Sequence, residues 1–161
     1  MTTDDPTLSF ITPRVAAGVL FTDDQDRILM VVPTYKDYYD IPGGYVEHGE
    51  TPYQAAQREV FEELGIKPPI GRLLVADWWQ DSPEARGGPK LLLIFDGGTI
   101  SPTRAGEIRI DGTELSAVTF EALDSIQDRT IPRLANRLVV AVDARSSGGT
   151  AYLESGTNPV E

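Results

Sequence analysis

Residues 44–66 read GYVEHGETPYQAAQREVFEELGI, and the second half of this stretch carries the best-marked helix of the chain. Thr51 can cap a first turn, Pro52 suits the first helical position, and Gln54 completes a Thr-x-x-Gln capping box. Gly65 supplies a left-handed stop, so the spacing predicts a helix over 52–64. At 100° per residue, Tyr53, Ala56, Val60 and Leu64 form one apolar stripe, and Glu59, Glu62 and Glu63 fill the adjoining sector. That sector is electrostatically costly. Like charges at i, i+3 and i+4 repel by about 0.2–0.5 kcal/mol per pair, and the negative end of the helix dipole makes acidic groups unwelcome in the last turn. Either a cation offsets the crowding or the face is merely well hydrated.

Upstream, RVAAGVLFT and RILMVVPTY are apolar runs separated by the turn-like DDQD, which predicts two antiparallel strands in a hairpin. DIPGGYVEHGE reads as a loop leading into the helix. Downstream, RLLVADWW, KLLLIF and ELSAVTF have the length and composition of strands, and IPRLANRLVVAVDA that of a second, core-covering helix. Two connections, QDSPEARGGP and DGGTISPTRAGEIRIDGT, are long enough to be ligand-contacting loops or simply mobile surface. Residues 1–11 and 145–161 are rich in Ser, Thr, Gly and Asp without periodicity and read as loose tails, leaving a single domain over 12–144.

With 161 residues, 40% of them hydrophobic and 24% charged, the chain can close one core. A formal net charge of −11 argues against long nucleic acid, whose affinity rests on Lys and Arg that displace counterions. A small polyphosphate stays open if a divalent cation sits between it and the protein. Without cysteine there is no disulfide, zinc-thiolate site or thiol nucleophile. The amino end lacks the basic and apolar regions of a secretory signal, and no apolar run approaches the ~20 residues that span a bilayer, so a cytoplasmic protein without a membrane segment is expected.

Taken together, Gly44, Glu50, Arg58, Glu59, Val60, Glu62, Glu63, Gly65 and Ile66 stand at the spacing of the Nudix box. The chain resembles the Nudix hydrolase family at every defined position of that signature and in the preceding IPGG. Seven fixed residues and two aliphatic positions would coincide by chance in a chain of this length with a probability on the order of 10⁻⁷. The resemblance implies an α/β fold of mixed α+β type: an α-β-α sandwich around a mixed, mainly antiparallel sheet, with a catalytic loop-helix-loop. It also implies hydrolysis of a diphosphate linkage, by attack of metal-activated water on phosphorus, in a small nucleotide-derived substrate.

Hard carboxylate oxygens suit Mg²⁺ or Mn²⁺, in agreement with the family. By resemblance, the carbonyl of Gly43 and the carboxylates of Glu59 and Glu63 are metal ligands, with Glu62 direct or through water. Glu50 is an auxiliary group. Arg58 corresponds to the box arginine that orients a catalytic glutamate, the alternative being an ordinary i to i+4 partner of Glu62. The general base is Glu59, Glu62, Glu63 or an acid from beyond the box, for which Glu114 is the first candidate and Glu107 the reserve.

His48, the single histidine, falls at a variable box position and is expected to face solvent. Trp78 and Trp79 are adjacent in a strand and so point to opposite faces, one into the core, the other toward a nucleobase or a dimer interface. Tyr35, Tyr38 and Tyr39 pose the same alternatives, and Arg14, Lys36, Arg86 and Lys90 are phosphate contacts or surface charge. A homodimer is left open. The competing functional reading is a catalytically silent Nudix scaffold that binds and senses its ligand; a third treats the acidic helix as the solvated face of an unrelated α/β domain.

Overall fold

The computed structural model describes residues 9–80 and 87–160. Strand β1 (Arg14–Thr22) turns through Asp23–Asp26 into β2 (Ile28–Pro33). The Asp23 carboxylate accepts the backbone N–H of Gln25 at 3.0 Å and of Arg27 at 2.9 Å, while Asp26 takes φ 58°, a region Asp tolerates in turns. The antiparallel hairpin expected from DDQD is therefore present, pairing Thr22 with Ile28.

The remaining elements are β3 (Gly43–Tyr45), α1 (Pro52–Leu64), β4 (Leu73–Trp79), β5 (Lys90–Thr99), the short α2 (Pro102–Gly106), β6 (Leu115–Glu121), a 3₁₀ helix over Leu123–Asp128, α3 (Pro132–Ser147) and β7 (Ala151–Glu154). Among the described residues the strands form one seven-stranded sheet in the order β6-β2-β1-β5-β4-β7, with β3 added to β1. The β1–β5 and β4–β7 pairs are parallel and the other four antiparallel, which makes the sheet mixed and mainly antiparallel.

Helix α1 begins and ends as its sequence dictates. Thr51 and Gln54 form the reciprocal capping box, and Gly65 closes the last turn at φ 70°. Its buried stripe of Ala55, Ala56, Val60 and Leu64 packs on Val19, Phe21 and Leu29 on one sheet face. Tyr53 stays partly exposed, yet its ring meets Phe95 edge-on at 5.7 Å and its hydroxyl donates to the carbonyl of Ile70 at 2.5 Å. On the opposite face, Leu134, Ala135, Leu138, Ala141 and Ala144 of α3 pack on Leu20, Met30, Leu74 and Ile94. Two apolar layers thus sandwich the sheet in the α-β-α arrangement.

Three expectations are corrected. The stretch read as a loop, DIPGGYVEHGE, contains β3, because Gly43, Gly44 and Tyr45 pair with Gly18, Ala17 and Ala16 of β1. Residues 145–161 are not a loose tail up to residue 160. Helix α3 runs to Ser147, Arg145 pairs with Asp96 at 2.7 Å, and β7 adds in parallel to β4 with Leu153 buried. The composition of this segment hid a four-residue strand whose partner lies some 75 residues away. Likewise the long DGGTISPTRAGEIRIDGT connection begins inside β5 and includes α2. A bulge at Gly97 permits the longer β5: a side chain there would meet the Phe21 ring at 2.3 Å. Of the expected amino-terminal tail, residues 1–8 lie outside the described residues, as do 81–86 of the QDSPEARGGP connection. Among the described residues, no helix is long and apolar enough to cross a membrane.

Candidate active site

Pairing of β3 with β1 puts Gly43 and Gly44 directly beneath the acidic side of α1. Gly43 N–H donates to Glu63 Oε1 at 3.1 Å. At Gly44 a methyl group would sit 2.2 Å from Glu59 Oε1, so the carboxylate occupies space that only glycine leaves. Glu59 and Glu63 lie one helical turn apart, and the proximity of each carboxylate acts on the protonation of the other.

Arg58 holds this arrangement from the side. Its Nε and Nη2 grip both oxygens of Glu50 at 3.0 and 2.8 Å, Nη1 donates to Glu59 at 2.8 Å and Glu62 at 3.1 Å, and Nη2 also reaches the Tyr45 carbonyl at 3.1 Å. The contacts that both readings of Arg58 require are present, since one guanidinium nitrogen donates to Glu59 and to Glu62. The grip of Arg58 pulls Glu50 below the usual carboxylate range and reinforces the charge on Arg58 itself.

The acids facing the cleft shift the other way. Burial raises Glu59, against the pull of Arg58. Burial also pushes Glu63 up to about 8, opposed by the Gly43 N–H and aided by Glu59 and Asp40. A cleft of about 650 Å³ opens beside them, lined by Gly43, Gly44, Glu59, Glu63, Asp40 and Glu114 at one end and running past Leu92 and Ile94 to Trp79.

Such a donor set fits a hard divalent cation. Two adjacent carboxylates that cannot both ionise cheaply are the groups a cation would relieve, and Mg²⁺ commonly takes one or two protein carboxylates and completes its shell with water and phosphate. Among the described residues no group of three acidic or histidine side chains is gathered to hold a metal unaided, because Glu62 is turned outward, 57% exposed, onto Arg58.

This loop-helix arrangement and its sheet have counterparts in known proteins. A family model described as NUDIX domain matches residues 12–139. The chain belongs to the Nudix family. Diphosphoinositol polyphosphate phosphohydrolase 2 of Rattus norvegicus is 44% identical over 62 residues, 38% of this chain and 35% of that protein, so the match spans about a third of the curated relative's length. A solved UDP-X diphosphatase has the same fold with a TM-score of 0.70 at 18% identity, over 92% of this chain and 70% of that one. The NUDIX domain of Shewanella oneidensis NrtR, complexed with ADP ribose, gives a TM-score of 0.66 at 16% identity, over 88% and 98%. At these identities the two structures show a shared fold alone.

Within this Nudix domain, Gly43, Glu59, Glu63 and Glu114 are brought to one cleft, and Arg58 stands one hydrogen bond behind them. Glu62 is on the same helix but does not line the cleft. Glu107 ends α2 and pairs with Arg104 at 3.7 Å, away from the cleft. His48 is exposed on the turn between β3 and α1. Trp79, not Trp78, lines the cleft; so do Tyr35, Tyr38, Lys36 and Lys90, whereas Tyr39 packs on the α3-side core. Lys36 donates to Asp40 at 2.6 Å, and Arg14 stands over the Tyr45 ring. Arg86 lies outside the described residues.

Sequence reasoning missed Asp40, Asp77, Arg133 and Arg137. Asp77 and Arg137 did leave a signal: each is a charged residue at an apolar position of its period, in LLVADWW and LANRLVV. In the structure they form a buried ion pair.

Proposed function

We propose that this Nudix domain hydrolyses a diphosphate linkage in a small, nucleotide-derived substrate and depends on Mg²⁺, with Mn²⁺ as a substitute. The observation that supports this best is the Glu59–Glu63 pair, set over two glycines and held by Arg58 at the acidic end of a cleft sized for a nucleotide. Glu59, Glu63 and the Gly43 carbonyl would hold the cation, with Glu62 joining directly or through water after leaving Arg58. The bound ion would supply charge neutralisation at the diphosphate and a lowered pKa for attacking water.

The chain's own residues then have defined tasks. Arg58 keeps the Glu59 carboxylate aimed into the cleft and shields it from the repulsion of Glu62. The absent side chains of Gly43 and Gly44 let β3 lie close against β1 and the Glu59 carboxylate lie close against the β3 backbone. Water oxygen forms the new bond to phosphorus, the bridging P–O bond breaks with its electron pair leaving on the departing phosphate, and the water proton passes to a cleft carboxylate. Glu59, Glu63 and Glu114 line the cleft and are the candidates for that base. A cytoplasmic location is consistent with such substrates.

The test is a phosphate-release screen over nucleoside triphosphates, nucleotide sugars, dinucleotides and inositol pyrophosphates, with Mg²⁺ or Mn²⁺. Turnover of one class, reduced by about 100-fold or more in Glu63→Gln, is expected. Activity undiminished from the parent's in all three of Glu59→Gln, Glu62→Gln and Glu63→Gln would refute the site. Tight binding of a diphosphate without any turnover would make the domain a sensor.

A further inference from the structure

The end of the cleft opposite the glutamates carries the reverse charge. Arg133 and Arg137, one turn apart on α3, both stand over the Trp79 ring, their guanidinium carbons 5.2 and 5.4 Å from its centroid. Lys90, the backbone partner of Trp79 across β4 and β5, lines the same end. Like charges at i, i+4 repel, and among the described residues only one is paired with an acid: Arg137 Nε donates to Asp77, whose other oxygen already accepts the Gly156 N–H at 3.1 Å. Arg137 is 7% exposed, yet among the described residues its Nη2 has no hydrogen-bond partner. An unsatisfied buried guanidinium N–H is expensive unless a ligand completes it. The first turn of α3 adds to the same field, because its N-cap, Ile131, offers no side-chain acceptor and no acidic residue follows in that turn.

We infer that Arg133, Arg137 and Lys90 form an oxyanion subsite for a phosphate or carboxylate carried on the part of the substrate distal to the diphosphate. The strands set its reach. Trp79 on β4 lies three strand spacings from Gly44 on β3, through β5 and β1, and three residues further along the strands, which is roughly 14 Å across the sheet and about 10 Å along it. Leu92, Ile94 and Ile131 line the cleft between the two ends. The second anion is therefore separated from the diphosphate by a sugar-sized or nucleoside-sized unit, and adjacent phosphates of one chain do not fit the description. That the other end takes a diphosphate rests on the hydrolase reading above; the subsite itself does not.

The test uses substrate pairs that differ by one distal anion: NADP⁺ against NAD⁺, and UDP-glucuronate against UDP-glucose. Binding is measured by calorimetry in EDTA, and turnover separately with Mg²⁺. The full chain should prefer the anionic member of at least one pair by about tenfold or more. Arg133→Gln, a change at an exposed position, should bring the ratio near one, and Arg133→Lys should restore part of it. Equal affinity within both pairs, or a preference unchanged by Arg133→Gln, overturns the subsite. A preference in binding, with no turnover of any class in the phosphate-release screen under Mg²⁺ or Mn²⁺, upholds the subsite and removes the hydrolase reading; turnover without preference does the reverse.

Discussion

Gly44→Ala separates the geometry of the candidate site from the stability of the fold. A Cβ at this position would lie 2.2 Å from Glu59 Oε1 and 2.5 Å from its Cδ, whereas ordinary contact begins near 3.4 Å. The carboxylate must therefore withdraw by roughly 1.2 Å or swing aside, straining its 2.8 Å bond to Arg58. Metal sites hold ligand distances to within about 0.2 Å, and a displacement near 1 Å in a reacting constellation costs about 100-fold in rate. The fold has less at stake. The obstructing atoms are the end of a flexible side chain, and replacing Gly by Ala at a compatible backbone position stabilises by about 0.4–1 kcal/mol through the unfolded state. Stability should stay within about 1 kcal/mol of the parent. Gly43→Ala is the contrast, since its Cβ would meet the Ala17 carbonyl oxygen at 2.4 Å and Gly18 Cα at 2.6 Å, backbone atoms that can yield only by parting β3 from β1. It should lose about 1–3 kcal/mol or more along with activity. The assays are thermal unfolding and Mg²⁺-dependent phosphate release. Unimpaired turnover in Gly44→Ala, with the melting temperature also unchanged, would refute the claim that the position of Glu59 matters.

The metal-free protein should lose stability as pH rises from about 4.5 to 8. Glu63, at about 8 in the fold against an ordinary 4.5, keeps its proton in the folded state after the unfolded chain has released it, so its contribution is complete below the lower value and gone above the higher. Melting in chelator across that range checks this: Glu63→Gln should flatten the decline, and an equally steep decline in the variant would contradict it. Asp77→Ala leaves Arg137 buried without its counter-charge and Gly156 N–H without its acceptor, and should cost about 3–5 kcal/mol in urea unfolding; a loss below about 1 kcal/mol would mean the pair is solvated. Removing residues 150–161 strips β7 from β4 and uncovers the site of Leu153, a loss of about 2 kcal/mol or more that should lower the melting temperature by several degrees, where a true tail would lower it by none.

What could be read from the sequence follows how local its cause is. Thr51, Gln54 and Gly65 act within one turn of themselves, so α1 was legible to the residue. Glu59 and Glu63 share a face by helical spacing alone, and their meeting with Gly43 and Gly44 needed only the next strand. By contrast β3 is too short to carry a pattern and exists because β1 offers it an edge, while β7 depends on β4 in the same way. Asp77 and Arg137 were missed although each is a charge at an apolar position of its period, because their partnership spans 60 residues and neither neighbourhood names the other. Glu62 shows the opposite limit. Its box position implies a metal ligand, direct or through water, and the sequence alone does not show that Glu62 faces outward and pairs with Arg58, one turn before it. The crowding of acids at the end of α1 thus has two answers in one helix: Arg58 offsets it on the outer side, and on the inner side burial and the proximity of Glu59 raise Glu63 in the place where a cation would relieve both carboxylates.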